Sequence, residues 1–256
     1  MTMTAEYTDM NWLHRTRLLV GDAGLERLRC ASVAVIGLGG VGGHAAEAVA
    51  RAGVGNLLLV DAGVVDETNL NRQVLALRTT LGRKKAEVAL ERMNAIRGEM
   101  SVRALDMFVE ERTLPDLGLD PHWLVIDAID TLESKTALLC YLHRNGISCV
   151  ASMGAGQRLD PTRVRVADIS ATHGCPLARQ VRKRLKDAGI ERGIPCVFSE
   201  EPPLRPEREP SPPLKTAENE KKSRLPIGSI SYVPALFGLT AAGVVINAIL
   251  KGSDPS

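Results

Sequence analysis

Short, unbroken apolar runs alternate along the chain with longer stretches of helical periodicity. Residues 33–36 read VAVI, the pattern of a strand covered on both faces. A helix is expected to follow from about Gly42 to Ala52, and residues 57–61, LLLVD, to form a second buried strand ending in Asp61. In residues 82–97 the apolar positions Ala86, Ala89, Leu90, Met93 and Ile96 recur at helical spacing. Residues 101–105 and 123–127 read as further strands, 132–145 as a helix and 147–151 as a strand. This alternation predicts an α/β fold, a doubly wound, mostly parallel Rossmann-like sheet.

Beyond residue 160 the pattern changes into a C-terminal extension. Residues 163–170, RVRVADIS, alternate with period two, as an edge or antiparallel strand does. Residues 176–189 form a basic helix with Pro176 at its start and Gly189 at its end. The run beginning at Cys196 is another short strand. Residues 201–226 hold six prolines between 202 and 213 and many charges, so a mobile loop is expected inside a single domain spanning 1–256. Residues 230–250 run 21 positions without a charge, near the length of a membrane span. Pro234, two glycines, Thr240 and Asn247 within the run favour a buried core helix over a membrane anchor.

Composition adds limits. The chain has 256 residues, 45% hydrophobic and 24% charged, with 3% aromatic, so Val, Leu, Ile and Ala must build the core. A net charge of +2 is no global footprint for nucleic acid and leaves room only for a local patch. The five cysteines, Cys30, Cys140, Cys149, Cys175 and Cys196, contain no Cys-x-x-Cys pair, which argues against a zinc knuckle. Free thiols and the absence of a basic-then-apolar start point to a cytoplasmic protein.

The chemistry gathers after the first strand. Residues 37–43 read GLGGVGG, a turn whose bare backbone can approach a phosphate at a helix N-terminus; Gly37, Gly39, Gly40 and Gly42 are the candidate contacts. Asp61 is placed to accept ribose hydroxyls. Asn69, Arg72 and Gln73 fall in the loop after the second strand, where ligands of such sheets bind. Lys85 opens the next helix, and Asp127 and Asp130 end the fourth strand. Two cations suit a triphosphate, and the hard oxygen ligand Asp130 suits magnesium. Each has a plainer reading: Arg72 as a surface ion pair, Lys85 as a solvated helix residue, Asp130 as a helix cap.

GLGGVGG, Asp61, Asn69-x-x-Arg72-Gln73, Lys85 and DAID ending in Asp130 resemble the ubiquitin-activating-type adenylating enzymes, which include the activators of the molybdopterin and thiamine sulfur carriers. The resemblance implies ATP and Mg2+ and attack of a substrate carboxylate on the α-phosphate, with Arg15, Arg72, Lys85 and Asp130 as catalytic residues. It also implies a homodimer in which an N-terminal arginine reaches the neighbouring site; Arg15 is the best match and Arg17 the fallback. Within that superfamily, RTRLLVGDAGLERL, NLNRQ, GRKKAEV, VIDAID, SMGAGQRLDPTRV, PLARQVRKRLK, CVFSEE and GSISYVPALFG are similar to the bacterial tRNA threonylcarbamoyladenosine dehydratases. Those enzymes activate the threonyl carboxylate of a modified adenosine with ATP and close it to a hydantoin.

The match has departures. Sulfur-carrier activators carry two zinc-binding Cys-x-x-Cys pairs, absent here. Some dehydratases have a cysteine shortly before the last helix, whereas residues 224–229 read RLPIGS. Cys196 is expected to be a buried thiol and Cys175 an exposed loop thiol. Arg179, Arg182, Lys183, Arg184 and Lys186 on one helix are the candidate tRNA contact. Adenylation of the C-terminal glycine of a ubiquitin-like sulfur carrier, a non-catalytic nucleotide-binding scaffold and, more distantly, a dehydrogenase stay open, as does a sulfur-relay or recycling partner.

Overall fold

The structure is a computed structural model and describes residues 11–96, 101–204 and 227–252, together with Pro255. The expected loop at 201–226 lies outside the described residues from 205 onward. Seven strands form one sheet in the order β3-β2-β1-β4-β5-β7-β6: β1 (Ser32–Ile36), β2 (Asn56–Val60), β3 (Ser101–Leu105), β4 (Trp123–Asp127), β5 (Cys149–Ser152), β6 (Val164–Asp168) and β7 (Pro195–Ser199). All neighbours pair in parallel except β6 with β7, so the period-two segment is the antiparallel edge strand its alternation predicts.

The unbroken apolar runs have a simple cause. Successive side chains of a strand point to opposite faces, and both faces are covered. Val33 and Val35 of β1 and Leu57 and Leu59 of β2 join one core cluster. Ala34, Ile36, Leu58 and Val60 join the other. Helices α2 (Gly42–Arg51), α3 (Lys85–Ile96) and α6 (Tyr232–Lys251) cover the first face through Ala46, Val49, Met93, Phe237 and Val245. Helices α4 (Leu132–Arg144) and α5 (Pro176–Asp187) cover the second through Leu138, Leu142, Val181 and Leu185.

Helix α6 has the length and hydropathy of a membrane span, and half of its most apolar window is buried in this fold. It lies against α2 so closely that a Cβ on Gly238 would run into the Val41 carbonyl and sit 3.0 Å from the Ala45 nitrogen. The helix α1 (His14–Cys30) is broken at Gly21, where φ is 70°. The strand expected at 147–151 begins two residues later, because Ile147 N–H closes α4 on the Leu142 carbonyl before the ladder with β4 starts.

Gly238→Ala should lower unfolding stability by about 1–3 kcal/mol, the cost of overpacking a tight helix crossing. Urea denaturation checks it; an unchanged midpoint would mean that the α2–α6 crossing is slack.

Candidate active site

The sheet changes winding direction between β1 and β4, and the carboxyl ends of these strands form a crevice of the kind that holds ligands in open α/β sheets. Gly37 leaves β1 with φ +91°, and a Cβ there would lie 2.8 Å from the Ala128 carbonyl. A Cβ on Gly42 would collide with the Gly37 carbonyl oxygen. These positions need glycine for close approach. No side chain caps the N-terminus of α2; the Gly43 amide donates to the Gly39 carbonyl at 3.1 Å, and the helix end as a whole favours an anion.

Asp61 follows β2 directly. One carboxylate oxygen accepts the Leu38 amide at 2.6 Å and the other accepts the Gly63 amide at 2.7 Å. The glycine loop is thereby tied to the loop that leads to α3. A Cβ on Gly63 would sit 2.9 Å from Asp61 Oδ1 and 3.3 Å from Lys85 Nζ, so that ammonium is turned back toward the crevice. Lys85 is buried, which corrects the solvated-helix reading.

Asn69 is fully buried, and its Oδ1 accepts the Asp66 amide at 3.2 Å, closing a capped 3-10 turn at Glu67–Asn69. In this arrangement it shapes the loop. Arg72 is in no surface ion pair among the described residues; Nη1 donates to the Thr68 carbonyl at 2.8 Å and to Asn71 Oδ1 at 2.9 Å. Its Cγ would lie 3.4 Å from a Cβ on Gly40. Gln73 is buried beside Gly39, and its Oε1 has no hydrogen-bond partner among the described residues. An orphaned buried acceptor is costly, and here it borders the glycine loop.

On the other side of the crevice, Asp127 and Asp130 divide their tasks. Asp127 is fully buried, pairs with Lys135 Nζ at 2.6 Å and accepts the Ile129 amide at 3.0 Å. Burial pushes its carboxyl up, and the Lys135 ammonium pulls the other way. Asp130 is exposed. It is no helix cap: Thr131 holds the N-cap position of α4, and Asp130 Oδ1 accepts the Thr131 hydroxyl at 3.3 Å. Its carboxylate is left facing solvent at the rim. Among the described residues no group of three or more His, Cys, Asp or Glu could hold a metal by itself. One exposed carboxylate fits magnesium, which takes few protein ligands and relies on phosphate oxygens.

Lys135 escaped the reading of the sequence. Its signal was present: it shares a helical stripe with Leu138, Leu139 and Leu142, where a lysine is out of place without a buried partner. Arg158 also escaped it. It is 3% exposed under the loop after β5, donates to the Gly174 carbonyl at 3.3 Å, and leaves Nε without a partner among the described residues. No spacing in the sequence marks it.

Other expectations need correction. Cys175 is buried, not exposed, because it precedes α5 beneath Gly154 and beside Arg158. Cys196 is buried as expected, and burial pushes its thiol well up. Of the five cations on α5, Arg182 is committed to the fold: Nη1 donates to the Thr172 carbonyl and hydroxyl, both at 2.7 Å. Arg184 pairs with Glu133 at 3.1 Å, and Lys186 lies 3.9 Å from Glu191. Arg179 and Lys183 are exposed one turn apart. Arg15 is exposed on the part of α1 before the Gly21 break, whereas Arg17 pairs with Asp22 at 2.5 Å.

Comparisons with known proteins show the family and the fold. The ThiF family pattern matches residues 13–256. The chain belongs to the ThiF family. This ThiF-family chain is 42% identical over 241 residues to the tRNA threonylcarbamoyladenosine dehydratase of Bacillus subtilis, covering 93% of this chain and 94% of that one. The crystal structure of the Escherichia coli tRNA N6-threonylcarbamoyladenosine dehydratase in complex with ATP matches with a TM-score of 0.85 and 35% identity over 95% of each chain. The same enzyme in complex with AMP matches with a TM-score of 0.82 and 35% identity over 93% of each chain.

Lys135→Met should cost about 3–5 kcal/mol by stranding Asp127 as an unpaired buried carboxylate, and the double variant with Asp127→Asn should recover much of that loss. Chemical denaturation of the single and double variants decides it; equal losses in both would show that the ammonium serves only to pack α4.

Proposed function

We propose that this protein is an ATP-dependent dehydratase that acts on threonylcarbamoyladenosine in tRNA, in a single adenylating domain over residues 1–256. The likeness to the dehydratases over nearly the whole chain supports the reaction. The observation that carries it is the single crevice at which the glycine loop, Asp61, Arg72, Lys85 and Asp130 converge. No Cys-x-x-Cys pair occurs in the chain, which weighs against the sulfur-carrier alternative.

A carboxylate is a poor electrophile, and joining it to AMP supplies a good leaving group. The threonyl carboxylate oxygen attacks the α-phosphorus, a new P–O bond forms, and the bond to pyrophosphate breaks. The carbamoyl nitrogen then attacks the acyl carbon, loses its proton, and AMP leaves. That nitrogen is tethered to the same side chain, so ring closure benefits from an effective molarity that can reach about 10⁵ M or more.

This chain's residues divide the work. Asp61 has acceptor capacity left for ribose hydroxyls beyond the two amides it holds. The glycine loop and the open N-terminus of α2 receive phosphate oxygens. Arg72 and Lys85 offset the charge that builds on the phosphates during attack. Gln73 Oε1, without a partner among the described residues, belongs to a side chain that borders the glycine loop at Gly39. Asp130 would hold Mg2+, which supplies further neutralisation of the phosphates when bound. In a homodimer, Arg15 would complete the neighbouring site. Arg179 and Lys183 would meet tRNA phosphates with salt-sensitive contacts. The protein would work in the cytoplasm, where its tRNA is.

Modified tRNA incubated with ATP and magnesium should yield the cyclic nucleoside by mass spectrometry, with oxygen label passing from the threonyl carboxylate into AMP. Asp130→Ala should abolish this turnover without changing the melting temperature. Exchange of pyrophosphate that depends on a carrier protein instead of tRNA would replace this reading with the sulfur-carrier one.

Mixing Arg15→Ala with Asp130→Ala protomers should restore about a quarter of wild-type activity per total protein, since half of random pairs are mixed and each carries one intact site if Arg15 acts in trans. No recovery on mixing, or full activity of Arg15→Ala alone, would remove Arg15 from the neighbouring site.

A further inference from the structure

The sheet order splits the rim into two halves. Asp61, the glycine loop and Asp130 belong to β2, β1 and β4. Beyond β4, the loops after β5 and β7 form the other half, and the segment leading into α6 links the halves. Asn71 Nδ2 donates to the Ser229 carbonyl at 3.1 Å, while Asn71 Oδ1 accepts from Arg72 Nη1 at 2.9 Å. At its other side the same segment meets the loop after β5. Gln157, the one non-glycine residue with positive φ (58°) among those described, donates its amide to the Gly228 carbonyl at 2.8 Å. A Cβ on Gly156 would lie 2.5 Å from Ile227 Cγ2. Tyr232 Oη donates to the Leu159 carbonyl at 2.8 Å.

Tyr232 is thus fixed by its hydroxyl while its side chain remains open. The residue is 44% exposed; Leu159, whose carbonyl it bonds, is 49% exposed, and Ile227, which packs on the same loop at Gly156, is 71% exposed. The chain has only three tyrosines, and a fixed, exposed one joined through Ser229 and Asn71 to Arg72 is not surface noise. A ring held in place by its hydroxyl offers a π-face with little ordering cost on binding. Bases in single-stranded loops are held by stacking on such rings.

We propose that Tyr232, flanked by Leu159 and Ile227, is the platform on which the modified adenine base of the substrate tRNA stacks, aiming its threonyl carboxylate toward the phosphates held beside Arg72. The inference rests on the dehydratase reading above. The occupant is a purine base, because the patch is continuous with the adenylating crevice and the group to be activated is a side arm of that base. Asn71 would then orient Arg72 and the platform together.

Steady-state kinetics with modified tRNA and ATP test the platform. Tyr232→Ala should raise KM for tRNA about tenfold or more, with KM for ATP close to wild type. Tyr232→Phe, which keeps the ring, should stay near wild-type KM. Tyr232→Leu, which keeps apolar bulk without the ring, should behave like alanine, and it serves if the alanine variant is unstable. An unchanged KM in both the alanine and leucine variants would overturn the proposal. Equal losses in the phenylalanine and alanine variants would assign the effect to the hydroxyl latch and overturn it as well. A change of oligomeric state in Tyr232→Ala by analytical ultracentrifugation would show the patch covered by a second copy and would likewise overturn it. Wild-type protein that fails to convert modified tRNA would instead sink the dehydratase reading itself.

Discussion

One carboxylate sets the geometry of the crevice. Asp61 accepts the Leu38 amide from the glycine loop and the Gly63 amide from the loop that leads to Lys85. Hydrogen bonds to a charged acceptor contribute about 1.5–3 kcal/mol each, more than neutral ones. Their larger effect here is positional. The glycine loop comes from β1 and the lysine from α3, elements whose mutual placement the sheet alone would leave to loop flexibility. Bridging them through one rigid carboxylate fixes how far the ammonium stands from the glycine amides. In the proposed reaction a ribose hydroxyl would donate to the same two oxygens, so recognition would reuse the group that shapes the pocket.

The opposite wall relies on a second ion pair of a different kind. Asp127 and Lys135 are both fully buried. Such pairs are weak contributors to net stability, since desolvation consumes most of the attraction. What this pair does is orient. Asp127 also accepts the Ile129 amide, which bends the chain just past β4, and the bend leaves Asp130 outward at the rim. The two aspartates of DAID are therefore not alternatives for one role. The first is spent on shape so that the second can face a ligand.

Much of the fold could be read from the sequence because the sheet is buried on both faces. That burial makes strands such as 33–36 and 57–60 unbroken apolar runs, distinct from the helical periodicity around them. The edge strand at Val164–Asp168 was readable from the period-two alternation of its sequence, although as the last strand of the sheet it buries no residue fully. The candidate site was readable where chemistry demands a residue type at a turn: the glycines, Asp61 and Asp130. It was not readable where a side chain's meaning depends on distant chain. Lys135 is out of place in its leucine stripe, but the partner that explains it, Asp127, is identified only once the fold sets α4 over β4. Asn71 and Tyr232 gain their partners only when the loops after β2 and β5 meet the start of α6, and Arg158 gains the Gly174 carbonyl only when the loop after β5 meets the one before α5. Cys175 misled for the same reason, since nothing in its neighbours shows that Gly154 and Arg158 will cover it.

The placement of the thiols bears on how the ring closes. Cys149 and Cys196 are buried, with burial pushing the Cys149 thiol up to about 12 and the Cys196 thiol well up too. The nucleophile of a thioester step is the thiolate, and these two sites suppress it. Cys30 ends α1 and Cys140 lies more than two turns into α4, both away from the carboxyl ends of the strands. Cys175 is covered. Residues 224–229 offer no cysteine before α6. An enzyme that hands an acyl group to a separate acceptor gains from parking it on sulfur. A substrate that carries its own nitrogen nucleophile on the activated side arm has no such need, provided that the arm is held near the adenylate. The groups that gather at this crevice, backbone amides, two cations and one exposed carboxylate, suit that first activation better than a thiol relay would.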